Sequence, residues 1–311
     1  MTPDLAGTAN RTPDIDVVRQ LVREQAPQLE RLPISPSLDA GSSNWVFRLG
    51  DDLAVRLPRT DDYVEAIENE ELWLPRVTPA TSAPTPELIV FGKPSATFKR
   101  PWAIVSWISG NRLGGLGPAE QHVLAQDLGA FLQQLHRVDV AGTPTGAERW
   151  GYRCGEPVTD QSDAWADEAA DALADLFDPA AVREAWRRVH NVPPATTTPC
   201  LVHTDLSSEN ILVHADGHLA GVIDFGSCGI GDPAIDLLYA WSFLDPPARR
   251  TLREAAGADE TTWLRARAHA FTGPGLLTLH GYRTTMPERT ARLTRLVRAI
   301  AAEVDVDLDR H

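Results

Sequence analysis

The sequence predicts an α+β fold in two lobes, a β-rich N-terminal lobe and a mostly helical C-terminal lobe. Three observations point there. Short strand-like runs crowd the stretch before residue 110, apolar residues recur at helical spacing after it, and the character changes at Ser109-Gly110-Asn111. At about 150 residues per domain, a chain of 311 residues is expected to hold two such bodies. The expected boundaries are 1–108 for the front lobe, a hinge at about 106–110, and 111–311 for the back lobe.

Each element follows from local chemistry. Residues 1–11 read as a frayed polar end. Thr12-Pro13 then reads as an N-cap followed by a proline at the first helical position. Val17, Val18, Leu21 and Val22 share one helical face up to about Pro27. Trp45 to Leu49 and Leu53 to Leu57 are strand-like, and the turn Gly50-Asp51-Asp52 joins them as a hairpin. From Tyr63 to Leu74 the pattern is helical, through Ile67, Glu70, Glu71 and Leu74, with Pro75 at its end. A loop rich in Pro and Thr leads to two more strands, Leu88 to Phe91 and Trp102 to Ile108. In the back lobe Pro118 opens a helix whose Leu124, Leu128, Phe131, Leu132 and Leu135 hold one face. Helices dominate from there, except around residues 200–225. There Ile211-Leu212-Val213 and Leu219 to Ile223 flank the turn His214 to His218 as a hairpin.

Composition narrows the function classes. With 43% hydrophobic and 23% charged residues there is material for a sizeable core. The net charge is −14 and no cluster of Lys and Arg stands out, so nucleic acid is not an expected partner. No stretch approaches about 18 consecutive apolar residues, so no membrane partner is expected either. The N-terminus lacks a basic region followed by an apolar run and does not read as a signal peptide. Cys154, Cys200 and Cys228 are odd in number and far apart, which argues for a reducing compartment, and a cytoplasmic location is expected. Cys200 and His203 have a zinc-like spacing, but no second pair follows.

The segment from His203 to Leu237 carries the chemistry. Phosphoryl transfer needs Mg²⁺ against the phosphates and a group that orients the attacking hydroxyl. Mg²⁺ takes hard oxygen ligands. Asp205 and Asn210 sit on a loop entering a strand, and Asp224 ends the partner strand just before Phe225-Gly226. A hairpin folds its ends together, so these three oxygen-bearing side chains can converge.

The residues read H-x-D-x-x-x-x-N and then D-F-G, the pattern of the protein-kinase-like superfamily. Followed by Gly231-Asp-Pro-Ala-Ile-Asp-Leu237, the segment resembles the aminoglycoside phosphotransferase family, whose relatives include choline kinase. Arg48 to Pro58 looks like that family's front hairpin, Trp107 to Gly110 like its hinge, and Phe131 to His136 like its helix before the catalytic loop. The resemblance implies a bilobal protein-kinase-like fold. It also implies a small-molecule kinase that moves the γ-phosphate of ATP or GTP to a substrate hydroxyl, first of all on an aminoglycoside-type antibiotic. Macrolides, amino alcohols and sugar metabolites are alternative acceptors, and a non-catalytic nucleotide-binding protein is the alternative of another class. A protein kinase is disfavoured: no Ala-Pro-Glu segment is present, and Gly229 to Pro233 follow Asp224 too closely for an activation loop.

By the same resemblance Asp205 would be the catalytic base or hydroxyl positioner. Asn210 and Asp224 would bind Mg²⁺. Arg56, paired with Glu70 or else Glu68, would hold the nucleotide phosphates, with Ser43 in the loop covering them. Ser106 and Ile108 would offer backbone groups to the base. His203 would hold the loop, Asp232 would cap the next helix, and His136 would pack or cap. Three departures stand out. Arg56 occupies the position of the usual lysine, the loop Ala40 to Asn44 has a single glycine, and Thr204 and Ser207 replace residues of the common H-G-D-L-H. Asp160, Asp163, Asp167 and Glu168 could instead form an acidic rim for a polyamine, although a solvated helix face explains them as well.

Overall fold

Alternation along two strands builds the first half of the molecule. In β2 (Asn44–Leu49) and β3 (Leu53–Pro58), Trp45, Phe47, Leu49, Val55 and Leu57 point to one face and enter a common core. Helix α1 (Ile15–Gln25) covers that face with Val18, Leu21 and Val22. Successive strand residues point to opposite faces, so Ala54 and Arg56 lie on the other side of the sheet. This computed structural model describes residues 12–37, 43–143, 160–195 and 198–309. Residues 1–11, Ala40 to Ser42 of the phosphate loop, Trp150 and Cys154 lie outside the described residues.

The chain forms two compact units, one made of the residues up to Ser109 together with Gly221–Cys228, the other of Gly110–Ala220 with Gly229–His311. In the first, β1 (Ile34–Pro36), β2, β3, β4 (Leu88–Gly92) and β5 (Trp102–Ser106) form an antiparallel sheet in the order β1-β2-β3-β5-β4. Helix α2 (Val64–Val77) buries Ile67, Glu70, Trp73 and Leu74. Several local expectations shift. The cap of α1 is Asp14, whose carboxylate accepts the Asp16 N–H at 3.2 Å, not Thr12. Helix α2 runs on through Pro75, and the Thr78 N–H still reaches the Leu74 carbonyl at 3.0 Å. Strand β5 ends at Ser106, two residues before the expected Ile108, with the Trp107 N–H still reaching the Asp52 carbonyl at 2.7 Å. Strand β1 is three residues on the sheet edge, too short to show an alternation in sequence.

In the second unit the elements run in order: β6 (Asn111–Arg112), α3 (Pro118–Leu135), α4 (Asp160–Ala172), α5 (Pro179–Val189), β7 (Cys200–Val202), β8 (Ile211–Val213), β9 (Leu219–Val222), β10 (Gly229–Gly231), α6 (Ala240–Phe243), α7 (Pro246–Ala256), α8 (Glu260–Ala270), α9 (Leu279–Tyr282) and α10 (Pro287–Glu303). The last two residues of β9 already belong to the first unit. Strands β7 and β10 pair antiparallel, and β6, β8 and β9 form a small sheet in the order β6-β8-β9. Helix α3 buries the five residues its periodicity marks. It packs on α7 so closely that a Cβ on Gly129 would lie 2.5 Å from the Ala255 Cβ. Between α8 and α9 the backbone widens to a π-helix over Phe271–Thr278. Pro274 within it has no N–H to give, which removes one helical hydrogen bond at that point. Trp186 stacks on Phe271 with centroids 6.3 Å apart, a packing role for that tryptophan. Among the described residues no helix is long and apolar enough to cross a membrane.

Candidate active site

In the first unit, Arg56 on β3 meets Glu70, one of the buried residues of α2, in a close ion pair. The same guanidinium donates from Nη2 to Asp224 Oδ1 at 3.2 Å. The Glu70 side chain is fully buried and Arg56 is 12% exposed, whereas Asp224 is 44% exposed. Burial works against the Arg56 charge, yet the carboxylates of Glu70 and Asp224 hold its pKa above the ordinary guanidinium value. Burial raises the Glu70 pKa; Arg56 pulls it back only in part, and Asp224 adds repulsion. Glu70 is therefore the partner of Arg56. Asp224 sits in the left-handed region at φ 69°, which Asp tolerates better than most residues. Asn69 Nδ2 donates to the Gly226 carbonyl at 3.0 Å, tying the segment after Asp224 to α2. Gly226 permits this approach, since a Cβ there would lie 2.7 Å from the Ala66 Cβ.

In the second unit, Asp205 follows β7 on a short loop that is braced from three sides. Asp236 Oδ1 accepts the backbone N–H groups of His203 and Thr204, both at 2.9 Å, and Asp236 Oδ2 meets His136 Nε2 at 2.9 Å. His203 Nδ1 accepts the Asp205 N–H at 3.3 Å. Thr204 stands at φ 70°, a strained conformation for a β-branched residue. Asn210 Nδ2 donates to the Asp205 backbone carbonyl at 2.9 Å and to Asp205 Oδ2 at 3.1 Å. With its nitrogen committed, the Asn210 amide turns its oxygen the opposite way.

Asp205 lines a cavity of about 270 Å³. Opposite chemistries meet in it: Glu209 from the loop that carries Asp205, Arg289 and Arg292 from α10, Tyr282, and Leu277 from the π-helical turn. Arg292 and Arg289 both pair with Glu209 Oε1. Burial would raise the Glu209 pKa, but the two guanidinium groups outweigh it and hold it below the usual carboxylate range.

Sequence comparison bears on the whole assembly. The profile of the phosphotransferase enzyme family, APH, matches residues 36–271. This chain belongs to that family. An aminoglycoside 3'-phosphotransferase of Escherichia coli is 28% identical over 127 residues, 40% of this chain and 44% of its own length. The chain spans about half the length of the curated relatives it matches. Among solved structures, the GDP complex of wild-type aminoglycoside 2'-phosphotransferase-IIIa is 20% identical, with 92% of this chain and 98% of that one covered at a TM-score of 0.64. The macrolide 2'-phosphotransferase from Brachybacterium faecium is likewise 20% identical, with 96% and 99% covered at a TM-score of 0.61. At that identity the likeness concerns the fold, the α+β fold of kinase-like phosphotransferases.

In this member of the family the sequence-derived site residues fall into two groups, Arg56, Glu70 and Asp224 in one unit and Asp205 and Asn210 in the other. Ser43 gives its carbonyl to the Arg59 N–H at 3.0 Å. The Ser106 N–H is already donated to the Glu87 carbonyl at 2.9 Å, and its hydroxyl accepts the Glu87 N–H at 2.8 Å. Ile108 packs its side chain near Gly221. Asp232 accepts the Ala234 N–H as a cap and also pairs with buried Arg265 at 2.5 Å. None of Asp160, Asp163, Asp167 and Glu168 is among the described residues lining the cavity. Asp163 accepts the Trp186 indole N–H and Asp167 pairs with Arg183. Sequence reading missed Glu209, Arg289 and Arg292. The spacing of the arginines by three on α10 was the available signal, and nothing local tied them to a loop 80 residues earlier.

Proposed function

We propose that this chain is a small-molecule kinase. It transfers the γ-phosphate of ATP or GTP to a hydroxyl, with an aminoglycoside-type antibiotic the first acceptor to test and a macrolide the second. The observation that carries this is the Asp205 loop: a carboxylate facing a cavity, its oxygen held by Asn210, with the backbone of the two preceding residues held by Asp236. Family membership and the GDP complex of a similar phosphotransferase support it.

Arg56 is always charged and presents its donors as a planar fork, which suits phosphate oxygens. Glu70 and Asp224 set its orientation. Each unit also offers a hard oxygen donor of the kind magnesium takes, the half-exposed Asp224 carboxylate in the first and the Asn210 amide oxygen in the second. Mg²⁺, when bound, would neutralise charge on the phosphates. Asp205 would align the acceptor hydroxyl and take its proton as the oxygen attacks phosphorus. The braced loop fixes that carboxylate before substrate arrives, so little reorganisation remains for the reaction.

The test is phosphate transfer from ATP and from GTP, with Mg²⁺, to a panel of aminoglycosides, macrolides and amino alcohols. Asp205→Ala should lower turnover by about 10²–10⁴-fold and leave nucleotide binding nearly intact. Asp224→Ala should also lose metal-dependent nucleotide binding. Wild-type turnover in either variant would refute the assignment. Nucleotide binding without metal dependence, and no transfer, would favour a non-catalytic binding protein.

A further inference from the structure

Resting on the kinase reading, the geometry points to a further acceptor class: we propose that Glu209, Arg289 and Arg292 form an acceptor-selecting site, and that the cavity takes a sugar-sized hydroxy acid whose carboxylate docks on the two arginines while its hydroxyl faces Asp205. Three observations carry this.

The first is stoichiometry. Both guanidinium groups converge on a single carboxylate oxygen, Glu209 Oε1. The trio therefore has a net charge of +1, and with Asp205 the four charged groups lining the cavity sum to zero. A polyammonium acceptor would find two carboxylates there, one of them already shared by two arginines. An acceptor with one carboxylate can place it against the trio, whose charge is +1, with its hydroxyl end toward Asp205.

The second is donor capacity. A guanidinium has five N–H groups. Arg289 uses Nε and Nη2 on Glu209, and Arg292 uses Nη2. Among the described residues Arg289 Nη1 and Arg292 Nε and Nη1 make no hydrogen bond, and the side chains are 33% and 23% exposed. The two groups are held by Glu209 yet keep single N–H donors for a second oxyanion, which charge-assisted hydrogen bonds would bind. Arg289 also lies over the Tyr282 ring at 5.4 Å, which fixes its plane.

The third is size. A cavity of about 270 Å³ sits just under the usual ~300–1,000 Å³ of ligand pockets, room for a molecule of monosaccharide dimensions. The hydroxyls of Ser208 and Thr278 already donate, to Glu209 Oε2 at 3.3 Å and to the Gly273 carbonyl at 3.2 Å, which leaves their oxygens as acceptors for a polyol, and Leu277 and Leu293 add apolar lining.

The step balances without another reactant. The acceptor hydroxyl oxygen bonds to the γ-phosphorus, the bond from that phosphorus to the β,γ-bridging oxygen breaks, and the hydroxyl proton passes to Asp205 and then to water. The products are a phosphomonoester acid and the nucleoside diphosphate.

The experiment compares D-gluconate, its uncharged amide and glucosamine as acceptors for the full-length chain with Mg²⁺ and ATP or GTP, alongside the antibiotic panel. Gluconate should show a KM at least about tenfold below that of the amide, the discrimination expected when a charged hydrogen-bonding partner is removed. Arg292→Met and Arg289→Met should erase that preference by raising KM for gluconate, with kcat changed far less. Arg292→Lys, which keeps the charge but not the fork, should fall between and covers the case of a Met variant that fails to fold. Equal use of acid and amide, or a preference that survives both Met variants, overturns the proposal. So does turnover confined to aminoglycosides or macrolides, an outcome that leaves the kinase reading standing. If nucleotide binding and all transfer are absent, the kinase reading itself fails and this inference falls with it.

Discussion

Two ion clusters in this chain use the same chemistry in opposite proportions. In the first unit one arginine, Arg56, serves two carboxylates, Glu70 and Asp224; in the second, one carboxylate, Glu209, serves two arginines. The first has a net charge of −1 and keeps one carboxylate exposed, which suits a site that also takes a divalent cation and phosphates. The second has a net charge of +1 and keeps guanidinium donors exposed, which suits an anion. Burial differs as well. Glu70 is fully enclosed, while every member of the second cluster retains contact with solvent. The lesson is that ion pairs of similar appearance differ in what anchors them: the first is rooted in the fold through buried Glu70 and opens only at Asp224, whereas the second is open to solvent at every member.

That contrast can be broken from the enclosed side first. Arg56→Met strands Glu70 in a buried position and should cost about 3–5 kcal/mol, read by equilibrium urea unfolding, with nucleotide affinity lost as well. Pairing it with Glu70→Leu should recover much of the stability and none of the nucleotide binding. If the double variant is no more stable than the single one, the pair is not the buried element described here.

A smaller effect tests the backbone that carries Asp224. Gly226→Ala puts a Cβ 2.7 Å from the Ala66 Cβ and 3.0 Å from the Ala66 carbonyl. Such overpacking should cost about 1–3 kcal/mol and weaken nucleotide binding by displacing Asp224, while Asp205-side acceptor discrimination is unchanged. Unaltered stability would show that the segment yields easily.

On the half-open side, Glu209→Gln should change stability by roughly 1 kcal/mol, because the pair is only partly withdrawn from solvent and Gln can still accept from the arginines. The sign with pH follows from its lowered pKa. The contribution is present above the ordinary carboxylate pKa and is lost as pH falls through the lowered folded value. The difference between wild type and Glu209→Gln should therefore close in acid.

The smallest effect belongs to His218, whose Nδ1 meets Asp127 Oδ2 at 2.8 Å and whose pKa is raised by that carboxylate. Its contribution is fully present below about 6.5 and fades as pH rises through the raised value. The melting temperature of wild type should exceed that of His218→Asn in mild acid and converge with it above neutrality. A gap that widens with pH would reverse this assignment.

How much of this was legible beforehand depends on range. Trp45 to Leu49 and Leu53 to Leu57 alternate, so their strands and their inward face could be read directly, and the position of Arg56 on the opposite face follows from the same period. The α3 face was equally plain. Asp205, Asn210 and Asp224 were singled out as candidates because their spacing is a motif. The cap at Asp14, the passage of α2 through Pro75 and the edge strand β1 were not, because each was decided by a single hydrogen bond or a neighbouring strand.

By itself, then, the sequence determined the order of the elements, the sides on which their apolar faces lie, and the residue types available for phosphoryl chemistry. Local periodicity and spacing are properties of neighbours along the chain. Only the tertiary structure decided that Glu70 is the partner of Arg56, that Asp236 braces a loop together with His136 from 100 residues away, and that Arg289 and Arg292 close on Glu209. Those choices join residues remote in sequence, and they rest on burial and charge balance, which exist only once the chain has folded.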